Sequence, residues 1–186
     1  MAKIVIGIIG LVGAGKSTFA DYLKTEHQAA IFAFRDPLEE ALKLLLIDQT
    51  RTNLQKLSQV LRENFGQDLL SKILVDRVNK ATTEIVCVEG IRRPKDLDYL
   101  RTIPNFFLIS LDTNEKIRYE RLVSRGQNAD ENAMTFAEFL QKQAAEAESL
   151  ISEVAREASF VVTNDATKED FYLQIENVLQ KIGEIK

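Results

Sequence analysis

The chain has one cysteine, Cys87, among 186 residues, so an internal disulfide is excluded. Cys87 falls in an apolar run and reads as inert packing. His27 is the only histidine. It sits just before an expected strand, most simply at the surface, and gives no support to a histidine-based or zinc mechanism. No apolar run approaches the ~18–20 residues needed to cross a bilayer, so no membrane association is expected. There are only three prolines, and no repeat, low-complexity tract or Pro/Gly-rich linker divides the chain, which suits one domain of 1–186. Basic residues are not in excess. Lys and Arg number 24 against 28 Asp and Glu, and the net charge of −4 argues against a general nucleic-acid binder. A hydrophobic share of 45% with 28% charged residues is ordinary for a protein that folds in water.

What the chain does contain is concentrated near its start. Gly10 to Ser17 read G-L-V-G-A-G-K-S, a match to the phosphate-loop pattern G-x-x-x-x-G-K-[ST]. Lys3–Ile9 before it is an apolar, β-branched run that reads as a buried parallel strand. Ser17–Leu23 after it places Phe19, Ala20 and Leu23 on one helical face. Gly10, Gly13 and Gly15 free the backbone to turn successive N–H groups into one concavity, and the helix dipole favours an anion there. Val12, Ala14 and Thr18 complete the expected lining. Lys16 supplies a mobile ammonium for β- and γ-phosphates, and the Ser17 hydroxyl can ligate the accompanying Mg²⁺. The pattern and its flanks together imply binding of a nucleoside triphosphate with its Mg²⁺. A cleavable leader would remove part of this site, so a cytoplasmic location is expected.

Four further apolar runs read as strands: Ala29–Phe34, Glu84–Glu89, Phe106–Leu111 and Ser159–Thr163. Amphipathic stretches alternate with them, which predicts an α/β fold with a mostly parallel, helix-covered sheet. About fifty residues of helical pattern separate the second and third runs, far more than a crossover requires. Leu38–Leu46, Leu54–Asn64 and Asp68–Ala81 read as helices, with Gly66 a terminator. Such an insertion suits a substrate-binding flap. Arg118, Arg121 and Arg125 share roughly one face of a later helix. The polar stretch Gln127–Ala133 follows, then a helix from Phe136 to about Glu157, capped by Thr135 with Glu138. Two readings of the arginines stand side by side. They close over phosphates as a helical lid, or they form a basic face against Glu138, Glu146 and Glu148.

Residues after the second and third strands fall at the ligand edge of such a sheet. Asp36, followed by Pro37 and Glu39, reads as a helix N-cap, a role compatible with contact to a substrate hydroxyl. Arg92 and Arg93, in Gly90-Ile91-Arg92-Arg93-Pro94, can bring two charges to a phosphate, or can simply answer Glu89. Glu89 itself can hold a water of the Mg²⁺ shell or pair with those arginines.

The order of phosphate loop, insertion helices, Arg118–Gly126 segment (R-Y-E-R-L-V-S-R-G), last strand and Asn164-Asp165 resembles the nucleoside monophosphate kinase group, with its adenylate-kinase-like fold. Within that group it is most similar to small deoxynucleoside-monophosphate and dephospho-coenzyme A kinases. The resemblance implies a three-layer P-loop NTPase fold with a five-stranded parallel sheet, its core in 1–37, 82–125 and 158–186. It implies a helical acceptor-binding insertion at 38–81 and an arginine-bearing lid at about 118–148. It further implies that Lys16, Arg121, Arg125 and Asp36 carry catalysis, and that adenine rests near Asn164. Arg62 would grip the acceptor phosphate, although an arginine late in a helix is also commonplace. Glu89 stands where related proteins often have aspartate, and would share Mg²⁺ with Ser17. The activity implied is transfer of the γ-phosphoryl of ATP to a small acceptor, a nucleoside or deoxynucleoside monophosphate. A dephospho-coenzyme A kinase and a regulatory nucleotide switch are the alternatives.

Overall fold

The computed structural model describes residues 3–125, 134–146 and 148–185, so the polar stretch Gln127–Ala133 of the expected lid lies outside it. The strands are β1 (Ile4–Ile9), β2 (Ala30–Ala33), β3 (Ile85–Glu89), β4 (Phe106–Asp112) and β5 (Phe160–Thr163). They form one parallel sheet in the order β2-β3-β1-β4-β5. Registers such as Val5 to Val86, Ile31 to Cys87 and Leu111 to Val162 put apolar residues side by side across the ladders. A parallel sheet covered on both faces needs such continuous apolar runs, and Val5–Ile9 are accordingly buried throughout.

By chain contacts the molecule divides into two compact units. The first comprises residues 1–7 and 23–107 and contains β2 and β3 with helices α2 (Asp36–Leu44), α3 (Arg51–Phe65), α4 (Leu69–Lys80) and α5 (Pro94–Leu100). Leu70, Leu74, Val78, Leu97 and Leu100 are buried along the inner faces of α4 and α5. Thr50 caps α3 by accepting from Asn53 N at 3.2 Å, and Gly66 ends that helix at φ 106°. The insertion is therefore helical as expected, with α2 starting two residues earlier than Leu38 and stopping at Leu44. Leu46 takes φ 58°, which closes off any continuation of that helix.

The second unit comprises residues 8–22 and 108–186. It holds the end of β1, most of α1 (Lys16–His27), β5, and helices α6 (Glu115–Arg125), α7 (Phe136–Glu146), α8 (Glu148–Ala155) and α9 (Lys168–Ile185). Phe19 and Phe171 meet edge to face at 6.2 Å in its core, joining α1 to α9. Thr135 and Glu138 form the expected capping box at the start of α7, with Glu138 Oε2 accepting from Thr135 N at 2.7 Å. A second aromatic cluster of Tyr119, Phe136 and Phe139 packs α7 against α6 around Leu122 and Met134.

Candidate functional site

In the loop between β1 and α1, Gly13 and Gly15 but not Gly10 take the left-handed backbone that side chains avoid. Gly13 and Gly15 adopt φ of 80° and 102°. A Cβ at Gly13 would stand 2.6 Å from the Arg118 carbonyl oxygen, and one at Gly15 would stand 2.2 Å from Asn164 Nδ2. Any side chain at either place would be both strained and obstructed. Lys16 Nζ donates to the carbonyls of Gly10 at 2.5 Å and Leu11 at 2.9 Å, so the ammonium lies over its own loop. The first turn of α1 carries no acidic residue to offset the helix dipole. Val12 and Ser17 are exposed, Thr18 half-buried and Ala14 buried.

Loops after β4 and β5 support this one. Thr113 Oγ1 and Asn164 Nδ2 donate to the Ala14 carbonyl at 3.2 and 3.0 Å. Asn164 Oδ1 in turn accepts from Arg121 Nη2 at 3.2 Å. The other end nitrogen of Arg121, Nη1, is buried with no hydrogen-bond partner among the described residues. Arg118, expected on the same face as Arg121 and Arg125, goes elsewhere. It is 4% exposed, donates from Nε to Thr113 O at 3.0 Å and from Nη1 to Val12 O at 3.4 Å, and lies over the Phe139 ring. It braces the loop from beneath. Arg125 is exposed at the end of α6. Glu138, one of the acids proposed to face the arginines, caps its own helix. Asn164 is 7% exposed, and both ends of its amide are engaged with protein groups rather than turned outward to a base.

These residues fit an anion such as a nucleotide's phosphates: a glycine loop, a lysine ammonium over it and a buried guanidinium nitrogen with no acceptor among the described residues. Among the described residues no cluster of three or more His, Cys, Asp or Glu could hold a metal ion. Mg²⁺ would therefore depend on phosphate oxygens and water beside Ser17, which is its usual mode beside nucleotides.

The first unit holds the residues expected on the acceptor side. Asp36 is not the cap of α2. Arg35 occupies that position, and the Asp36 carboxylate reaches back to accept from Ala33 N at 2.6 Å. The tight turn after β2 brings that N–H within reach, so the carboxylate satisfies a strand end rather than a helix start. Arg62 is 6% exposed instead of presented at the surface. Its Nη1 donates to Gln67 O at 2.8 Å and lies 3.1 Å from Asp96 Oδ1. Asp96 Oδ2 accepts from Arg92 N and Arg93 N, both at 3.1 Å. The G-I-R-R-P turn is thus held by Asp96, while the Arg92 and Arg93 side chains are exposed. Glu89 ends β3, half-buried. Burial, with the nearby Glu89 charge, pushes the Cys87 thiol well above its ordinary range, consistent with inert packing.

Sequence reading missed Asp96 and Thr113. Asp96 carries a signal, because proline at the first helical position with an acid two residues later marks an α5 start. Thr113 carries none; a single threonine after a strand is too common to single out.

The parallel sheet and the glycine loop leading into α1 define a P-loop protein of kinase-like fold. The chain belongs to the AAA domain family AAA_18, which it matches over residues 6–145, and to the UPF0200 family. A UPF0200 protein of Methanocaldococcus jannaschii is 30% identical over 181 residues, covering 96% of this chain and 90% of that one. Another, from Sulfurisphaera tokodaii, is 28% identical over 178 residues, covering 96% and 97%. Among solved structures, shikimate kinase from Bacteroides thetaiotaomicron aligns with TM-score 0.64 at 12% identity, covering 97% of this chain and 98% of that one. TT1252 from Thermus thermophilus aligns with TM-score 0.61 at 20% identity, with the same coverage. At such identities the likeness is one of fold, and it does not single out a nucleoside monophosphate or dephospho-coenzyme A as acceptor.

Proposed function

We propose that the protein is an ATP-dependent phosphotransferase acting on a small acceptor, a nucleoside or deoxynucleoside monophosphate before other classes. The observation that carries this reading is the Gly10–Ser17 loop, with positive φ at Gly13 and Gly15 and Lys16 Nζ held over its carbonyls. Phosphate oxygens would replace those carbonyls as partners of Lys16, and the loop N–H groups would hold the remaining charge. Arg121, and Arg125 from the end of the same helix, would neutralise charge that spreads over the transferring phosphoryl group. Mg²⁺ held beside Ser17 would supply charge neutralisation for the β- and γ-phosphates.

On the acceptor side the exposed Arg92 and Arg93 suit a phosphate-bearing molecule, and Asp36 suits a hydroxyl or sugar. Arg62 belongs behind them, since its guanidinium is already paired with Asp96. Positioning and electrostatics suffice for such a transfer, so no side-chain nucleophile is needed. Neighbours that are shikimate kinases extend the acceptors worth testing to a plain hydroxyl. The experiment is thermal stabilisation by ligands. ATP with Mg²⁺ and one acceptor should each raise the melting temperature, because both bind only the native state. Stabilisation by ATP with none of the acceptors would favour a nucleotide switch, and stabilisation by no nucleotide would overturn the reading.

A further inference from the structure

We infer that Thr113 and Asn164 form a clamp on the Ala14 carbonyl that holds the phosphate loop open and links it to Arg121. Both are positioning residues for phosphate, and the inference rests on the nucleotide-binding reading above. The argument begins with the peptide unit. A trans peptide is planar, so the Ala14 carbonyl and the Gly15 N–H point in opposite directions. Fixing one fixes the other. The carbonyl receives two donors, Thr113 Oγ1 at 3.2 Å and Asn164 Nδ2 at 3.0 Å, which occupy both its lone pairs. Both donors are buried, at 6% and 7% exposure, where water competes little for these bonds. The Gly15 N–H is thereby turned to the side away from the clamp.

The donors are themselves held. Asn164 N donates to Asp112 O at 3.0 Å, and Asp165 Oδ1 accepts from Asn114 N at 2.7 Å, which ties the loops after β4 and β5 together. Gly15 lies so close to Asn164 Nδ2 that a Cβ there would collide with it. The clamp and the glycine loop fit as one piece.

An amide is the right group at position 164. It must give a proton to Ala14 and accept one from Arg121 Nη2 at 3.2 Å, which neither a carboxylate nor an apolar side chain can do. The Asn164 amide therefore orients Arg121 from the same point that orients Gly15, leaving the buried Arg121 Nη1 for an acceptor that the described residues do not provide. The loop and the arginine reach a phosphate already aligned, and less of the binding free energy is lost to ordering them.

The test uses the full chain and two probes, Mg-ATP and Mg-tripolyphosphate, with dissociation constants from calorimetry. Thr113→Val, which loses one buried hydrogen bond, should weaken both probes by about five- to tenfold, and Asn164→Ala, which loses its bonds to both Ala14 and Arg121, by at least as much. The factor should be the same for ATP and for tripolyphosphate, since the clamp acts on phosphate alone. Thr113→Ser should restore most of the affinity lost in Thr113→Val. A packing role would give the reverse, because valine keeps the threonine's volume and serine does not. Loss confined to ATP would make Asn164 an adenine contact and overturn the clamp. If Asn164→Ala does not fold, the Thr113 pair decides the matter. Wild-type protein that binds neither probe would bring down the nucleotide reading and this inference with it. Binding by wild type with no change in the variants would bring down the clamp alone.

Discussion

The carbonyl oxygen of Arg118 lies 2.6 Å from the place where a Cβ on Gly13 would stand. Helix α6 therefore meets the phosphate loop backbone to backbone, and Arg118 fills the space around that contact with bonds to Thr113 and Val12. The first expected outcome follows directly. Gly13→Ala forces the loop away from α6 at a residue with φ 80°, so it should weaken ATP binding by about tenfold or more, the strain alone being of order 1–3 kcal/mol. Calorimetric titration with Mg-ATP checks it. An unchanged dissociation constant would show that the contact does not shape the loop.

Lys16 stands differently, since its ammonium is held by carbonyls that a phosphate would displace. Lys16→Ala should lower turnover by about a hundredfold or more, the scale of losing one positioned charge donor, while far-UV circular dichroism stays the same. Unchanged turnover would remove this loop from the chemistry.

Arg121→Ala and Arg125→Ala should reduce kcat more than they weaken ATP binding, because their charges matter most as negative charge spreads during transfer. Steady-state kinetics with a coupled ADP assay separates the two effects. Equal kinetics in both variants would return these residues to a solvated basic face.

Much of this architecture is legible in the sequence, and the places where it is not share a cause. The strands fall within a residue or so of their apolar runs, because a strand buried on both faces must be continuously apolar. The insertion helices and the Thr135–Glu138 box follow from local periodicity and capping chemistry. Arg118 is different. Periodicity places it with Arg121 and Arg125, but the approach of α6 to Gly13 is a tertiary fact, and it buries the first arginine beneath the loop. Asp36 has a cap's neighbours, yet its carboxylate accepts from a strand-end N–H while Arg35 takes the cap position. Arg62 looks like a surface residue on its helix until Asp96, in a distant part of the chain, supplies its partner.

That Arg62–Asp96 pair gives a stability test. Asp96→Ala would leave a buried guanidinium without its counter-ion and release the N–H groups of Arg92 and Arg93. The expected cost is about 3–5 kcal/mol in urea unfolding, the range for breaking a buried ion pair from one side. A change near zero would mean that the pair is solvated in solution.

Cys87 gives a test through pH. Its thiol is 0% exposed and is pushed above its ordinary value near 9, so folding favours the protonated form. Stability from this group is complete below that ordinary value and is lost as pH rises beyond it. The slope contributed approaches about 1.4 kcal/mol per pH unit while only the unfolded thiol ionises. Urea unfolding from pH 7 to 10 should show this decline, and Cys87→Ala should flatten it. An identical profile in the variant would assign the decline to other groups.

The most direct measurement is ADP formation from ATP and Mg²⁺ across ribo- and deoxynucleoside monophosphates, dephospho-coenzyme A and shikimate, with the product identified by mass. A phosphotransferase should release ADP quickly with one of these acceptors, yield its phosphorylated form in equal amount, and lose both with Lys16→Ala. ADP release that is indifferent to every acceptor, or persists in Lys16→Ala, would contradict transfer at the Gly10–Ser17 loop.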